Sequence, residues 1–203
     1  MALSSNSANL IRTLQGLTTL DGRYTQITCV NINAATGESR GVLSLVFKAF
    51  DQVDQRYVAL KFYDIDPNKL FDQYRVDAFR REHAILQTLL NTRRCLQLAS
   101  SYSIYLLKVP QAGGASYEIP CPYFAVEWVE HEIDDYFEQQ DSREAVHKLK
   151  LFNDIVLAVE ALHRHDVHHR DLKKDNLRAH DNSVVRTVVA IDLGTAARSE
   201  SSV

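Results

Sequence analysis

The period of the apolar residues changes twice between Tyr24 and Val129, and no other feature narrows the fold so much. From Tyr24 the chain reads as strands, Ile27 to Ile32, Val42 to Phe50 and Tyr57 to Tyr63, separated by polar turns at 34–38 and 51–55. Turns that short join neighbours running in opposite directions, so the run is antiparallel. Residues 68 to 91 switch to a 3.6-residue period, with Phe71, Val76, Phe79, Ile85, Leu86 and Leu89 on one broad side of a long helix. Extended segments return at Ile104 to Val109 and Tyr123 to Val129, joined by the turn-rich stretch 110–114. Five strands with one helix among them predict an α+β unit that ends near Val129.

Beyond that point the acidic segment from Glu130 to Glu138 reads as a short helix, and Asp141 with Glu144 has capping-box spacing before a longer one. Leu149, Phe152, Ile155, Val156, Val159 and Leu162 form the apolar stripe of that helix, which runs to His163. Val184 to Ile191, rich in β-branched residues, reads as a strand of a small hairpin with Asp192 at its end. At the other terminus, residues 1 to 20 are polar but carry Leu10, Ile11, Leu14 and Leu17 at helical spacing. They read as a flexible leader or one short docking helix.

Composition excludes several classes. A chain of 203 residues, 45% hydrophobic and 24% charged, has room for a core in one domain or two small lobes, and is neither disordered nor fibrous. A net charge of -3 gives no general pull toward nucleic acid or anionic lipid, although Arg80-Arg81 and Arg93-Arg94 are local basic clusters. Neither nucleic acid nor membrane is an expected partner. Cys29, Cys95 and Cys121 are odd in number and widely spaced, fitting reduced thiols and no disulfide framework. No apolar run approaches the roughly 18–20 residues of a membrane span, and the first residues lack a signal-peptide pattern, so the expected location is the cytoplasm.

The chemistry concentrates in His169-Arg170-Asp171-Leu172-Lys173-Lys174-Asp175-Asn176 and, further on, Asp192-Leu193-Gly194. Asp171 can accept the proton of an attacking hydroxyl, and Lys173 can steady a moving phosphoryl group. Asn176 and Asp192 supply the hard oxygen atoms that suit magnesium. His163, His165, His168 and His169 crowd the same stretch, but they read as loop-organising and locally bonded groups, not as a zinc site.

This order of elements and motifs resembles the eukaryotic-like Ser/Thr protein kinase family. The resemblance implies a bilobal fold: a five-stranded antiparallel N-lobe sheet with its αC helix over 21–129, and a mainly helical C-lobe over 130–203. Val58-Ala59-Leu60-Lys61 matches the family's V-A-I-K, so Lys61 would hold the α- and β-phosphates of ATP, with Glu82 as its ion-pair partner. Phe124 to Val129 resembles the segment linking the lobes, with Val126 in the gatekeeper place and Glu127 to Val129 offering backbone groups to adenine. Aligned on Val46, the glycine places of the phosphate-covering loop hold Ser39, Gly41 and Ser44, so only one glycine survives. Ala59 and Val46 would line the nucleotide. On the site's floor Arg178 stands where the family has an apolar residue, so either Leu177 serves instead or the Arg178 stem lies along the base with its head in solvent. The implied cofactors are ATP and Mg2+, and the implied substrate is a protein serine or threonine.

The resemblance runs from about residue 22 to 196 and stops before an A-P-E motif or the helices that seat a peptide. A truncated C-lobe is therefore expected to expose the apolar face of its long helix, to be covered by a partner or a dimer. Arg170 would be idle or bonded to the tail near Ser199. Two other functions fit parts of the pattern. Ser39, Ser44 and Arg178 suit a nucleotide-sensing scaffold of negligible turnover, and the D-x-x-x-x-N spacing suits an aminoglycoside-type phosphotransferase. Arg170 and Lys173 argue against the latter.

Overall fold

A computed structural model describes residues 3–32, 43–67, 72–111, 114–133, 145–182 and 185–199. They fall into two compact units, residues 1–80 with 98–128 and residues 81–97 with 129–203.

The first unit is built on a sheet of five strands: β1 (Tyr24–Cys29), β2 (Ser44–Asp51), β3 (Arg56–Tyr63), β4 (Leu98–Pro110) and β5 (Ser116–Glu127). Their spatial order is β1-β2-β3-β5-β4, and every neighbouring pair is antiparallel. The five-stranded antiparallel sheet expected from the strand-like runs and their short turns is therefore present. Alternation also fixes its register. Leu45, Phe47 and Ala49 of β2 face Phe62, Leu60 and Val58 of β3. All six are buried, and a slip of one residue would turn the whole set to the other face. Rings complete this layer, with Phe62 stacked on Tyr123 at 4.6 Å and edge-on to Phe47 at 5.5 Å.

Helix α1 (Ser5–Gly16) stands in the segment read as a leader or docking helix. Ser4 caps it by accepting a bond from Ser7 N, and Leu10 and Leu14, one turn apart, are fully buried against a unit that includes β1 and β4. Ser7 Oγ donates to Asp64 Oδ1 at 2.6 Å, and Arg75 Nη2 lies 3.4 Å from Asp64 Oδ2. A polar staple thus supplements the two leucines. In the β2–β3 turn, Asp51, with no exposed side-chain surface, takes bonds from Arg23 Nε (2.9 Å) and Nη2 (2.6 Å) and from Val53 N (2.9 Å).

Helix α2 (Gln73–Thr88) is the helix the period predicted within 68–91; its first part belongs to the sheet unit and the rest to the second unit. The second unit continues with β6 (His131–Glu132), α3 (Ala145–His163), β7 (Val167–His168), β8 (Leu177–Asn182), β9 (Val185–Ala190) and β10 (Ala197–Arg198). The helix expected from Glu130 is not borne out at its start. Residues 131 and 132 are extended, because they pair with Ala179 and Arg178 of β8. The Asp141/Glu144 capping box lies outside the described residues.

Helix α3 has more apolar surface than one face can bury. Leu151, Ala158 and Leu162 point into the unit, while Val146, Leu149, Phe152 and Val156 form a second stripe that remains exposed, Leu149 and Phe152 by about two-thirds (67% and 66%). The three cysteines are unpaired, and burial pushes the thiols of Cys29 and Cys95 up to about 11 and that of Cys121 to about 12. No helix among the described residues is long and apolar enough to cross a membrane.

Candidate active site

Strand β7 hands the chain to a loop that turns sharply at Arg170, whose φ of 65° lies in the left-handed region. The loop is held by His169, which is buried. Its Nδ1 accepts from Asp171 N at 3.3 Å, and its Nε2 lies 2.8 Å from the Ile191 carbonyl, so Nε2 is the donor. Thr195 Oγ1 donates to the His169 carbonyl at 3.1 Å. Backbone and ring together thus tie the Asp171 loop to the segment that carries Asp192.

Around Asp171 the polar groups converge on one oxygen. Its Oδ2 accepts from Lys173 Nζ at 2.9 Å and from Asn176 Nδ2 at 3.1 Å; the same Nδ2 also lies 2.9 Å from the Asp171 carbonyl. The Lys173 bond, with smaller help from Asn176, holds the Asp171 carboxyl below the usual carboxylate range, and the bond from Asp171 with the charge of Asp192 holds the Lys173 ammonium above its own. Asp171 is therefore an anion at neutral pH and an acceptor by nature. Asn176, at the end of the 3-10 turn Lys174–Asn176, spends its amide protons on Asp171 and keeps its carbonyl oxygen for other contacts. Its own backbone carbonyl accepts from Ile191 N at 2.9 Å, which brings Asp192 next to the same loop.

Asp192 adopts φ 62° and ψ 68°, a left-handed conformation costing a non-glycine residue roughly 1–3 kcal/mol and typical of functional positions. Helix α2 grips the two residues after it. The Glu82 carboxylate, 2% exposed, accepts from Leu193 N at 3.1 Å, and Arg81 Nη2 donates to the Gly194 carbonyl at 3.2 Å. The second unit thus gathers Glu82, Asp171, Lys173, Asn176 and Asp192. Arg81 and Thr195 were missed in the sequence. Arg81 stood out only as half of a local basic cluster, and Thr195 carries no local signal at all.

The sheet unit gathers the remaining candidates. Val46 pairs with Lys61, Ala59 with Val126, and Ser44 with Tyr63, while Lys61 also faces Phe124 on β5. Directly opposed residues share a face, so Ser44, Val46, Ala59, Lys61 and Val126 lie on one side of the sheet. Glu127, opposite Val58, falls on the other. On the candidate face Lys48 sits 4.6 Å from the Tyr57 ring centroid and 4.7 Å from that of Trp128. Ser39 and Gly41 lie outside the described residues. Val129 and Leu177 belong to the second unit, and both are buried.

The Arg178 head is ion-paired: Nη1 meets Glu132 Oε1 at 2.8 Å, across the β6–β8 pairing that replaced the expected helix. Ser199 bonds to His168 Nε2 (2.7 Å) and to the Asp166 carbonyl (2.9 Å), not to Arg170. The histidines are individually engaged, His165 with Thr92 Oγ1 at 3.1 Å and His163 with the His168 ring at 4.9 Å.

The comparisons with known proteins agree with this geometry. The family model for the protein kinase domain matches residues 39–203. The carbon catabolite-derepressing protein kinase of Saccharomyces cerevisiae is 40% identical over 52 residues, a stretch that makes up 26% of this chain and 8% of that protein. A match over most of the length decides the family: the chain belongs to the protein kinase domain family.

Proposed function

We propose that this kinase transfers the γ-phosphate of ATP, with magnesium, to serine or threonine hydroxyls of a protein. The observation that carries the reading is the meeting of Lys173 and Asn176 on one oxygen of Asp171. That arrangement orients the carboxylate and keeps it ionised. Its Oδ1 accepts no hydrogen bond among the described residues and is the atom on which an incoming hydroxyl would place its proton. Lys173, held protonated, lends positive charge where the transferred group passes.

The donor set suits a hard cation. The Asn176 amide oxygen and the Asp192 carboxylate are the oxygen ligands magnesium takes, and they would hold it; once bound it would offset negative charge on the phosphates. The sheet face suits a purine nucleotide, with Val46, Ala59 and Val126 as its apolar surface and Lys61 as the cation for its α- and β-phosphates. Glu127 and Val129 would offer backbone groups to the base, and Leu177 an apolar floor. Ser39, Gly41 and Ser44 would cover the phosphates. Glu82 contributes by anchoring Leu193 N, and so the backbone of Asp192. In this reading residues 21–129 form the nucleotide lobe and residues 130–203 carry the catalytic loop.

The test is transfer of radiolabelled phosphate from ATP to the chain itself and to a generic basic protein, with Asp171→Asn beside it. Label on serine or threonine that needs magnesium and disappears in the variant is expected. Equal labelling by both proteins would overturn the catalytic assignment.

A further inference from the structure

A cavity of about 330 Å³ lies within the second unit, between the loop that follows α2 and the C-terminal half of α3. Arg93, Arg94, Arg164 and His165 line it, with Glu160 as its only carboxylate and Leu157 and Ala161 as apolar wall. None of Asp171, Lys173, Asn176 and Asp192 takes part, and the catalytic reading has no use for it. We propose that this cavity binds a phosphate monoester, carried on a peptide side chain.

The loop is built, not loose. The Gln97 amide spans it, donating to the carbonyls of Thr92 (2.9 Å) and Cys95 (2.7 Å) while accepting from Asn91 N (2.7 Å). Asn91 and Arg94 take left-handed backbone at φ 59° and 66°, which folds the loop tightly. Two bonds fasten it to the neighbouring helical segment: Thr92 Oγ1 to His165 Nε2 at 3.1 Å, and Arg94 Nη1 to Asp154 Oδ1 at 3.0 Å. The Arg94 guanidinium is therefore positioned before any ligand arrives, which lowers the cost of ordering it on binding.

Charge accounting selects the ligand. Arg94 is matched by Asp154 and Arg164 by Glu160, at 3.0 and 2.7 Å, but Arg93 makes no ion pair or hydrogen bond among the described residues. The lining therefore keeps one unmatched cation. Arg94 and Arg164 each use a single N–H in these pairs and retain others of their five. A planar fork of N–H groups matches the oxygens of phosphate, and a monoester brings about -1.5 to -2 charges at neutral pH with three acceptor oxygens. A lone carboxylate would use little of that donor array. The cavity is open to solvent on one side, which leaves a way in for the residue that bears the phosphate. Leu157 and Ala161 offer that residue an apolar contact.

The experiment is a titration of the isotope-labelled chain followed by NMR, with three probes: inorganic phosphate, a peptide bearing one phosphoserine, and its unphosphorylated twin. Arg93→Ala is the variant, because a side chain with no ion pair or hydrogen bond among the described residues can be removed without unfolding the loop. The expected result is shifts confined to residues 91–95 and 157–165, with binding of the phosphopeptide at least about tenfold tighter than its twin and weakened about tenfold by Arg93→Ala. Partial recovery in Arg93→Lys would support a charge contact. Inorganic phosphate binding as tightly as the phosphopeptide would keep the phosphate site but overturn the peptide as its source. Shifts scattered over the basic surface, or equal affinity in wild type and Arg93→Ala, would overturn the site itself. Catalytic failure of Asp171→Asn has no bearing on any of these outcomes.

Discussion

Asp51 and Asp171 are both carboxylates held below their ordinary range beside a cation, yet they sit in opposite surroundings. Burial alone would raise Asp51; the bonds from Arg23 and the amides of Val53 and Asp54 outweigh it. Asp171 is partly exposed, and there the Lys173 bond is the largest influence, outweighing desolvation. In the hairpin every acceptor position serves the fold. In the loop one oxygen is bonded twice and the other is left open. A lowered carboxyl is therefore no mark of catalysis by itself, whereas an ionised acid with a spare lone pair on a fixed loop is.

The sharpest way to break this contrast is to neutralise each acid. Asp171→Asn should cut phosphate transfer by between about 10²-fold and 10⁴-fold, the usual contribution of a general base, with an unchanged thermal midpoint. A large loss of midpoint would make Asp171 structural after all. Asp51→Ala should do the reverse, costing about 3 kcal/mol in denaturant unfolding while activity per folded molecule holds; this is the low end for a broken buried pair because Arg23 keeps some contact with water. Leu14→Ala, by hollowing the α1 contact, should cost about 2–3 kcal/mol and leave the sheet intact, as read by hydrogen exchange.

Acid titration sharpens the comparison further. Because Asp51 is depressed in the folded chain, the stability it supplies is complete above its unfolded value of about 3.9 and drains away as pH falls through the lower folded value. Unfolding curves of Asp51→Asn should accordingly lose part of their dependence below pH ~4. Asp171, also depressed, should impose no acid limb on the transfer rate above that same pH. The smallest effect belongs to Lys108→Ala. Its 4.0 Å contact with Glu118 is exposed at both ends, and less than about 0.5 kcal/mol should register.

The contrast also explains what a reader of the sequence could see. The sheet was legible because short apolar runs set off by polar turns, such as Val42 to Phe50 and Tyr57 to Tyr63, are a local signal that burial then enforces. The Asp171 cluster was legible because its members occupy one loop. Glu132 was misread because its acidic neighbours suit a helix, whereas pairing with Arg178 on a distant strand makes it extended. Ser7 gave no sign of reaching Asp64, nor Arg81 of reaching Gly194, since both bonds join residues remote in the chain. Short-range chemistry can be read from neighbours; the groups that hold it still come from elsewhere.

The raised thiols have a practical side. With Cys29 and Cys95 near 11 and Cys121 near 12, hardly any thiolate exists at neutral pH, so maleimide and iodoacetamide find little to attack. Slow reaction of the native chain with either reagent at neutral pH is therefore expected. A cysteine introduced by Arg93→Cys, on an exposed turn, should take a fluorophore or spin label faster than these three and report from the rim of the basic cavity.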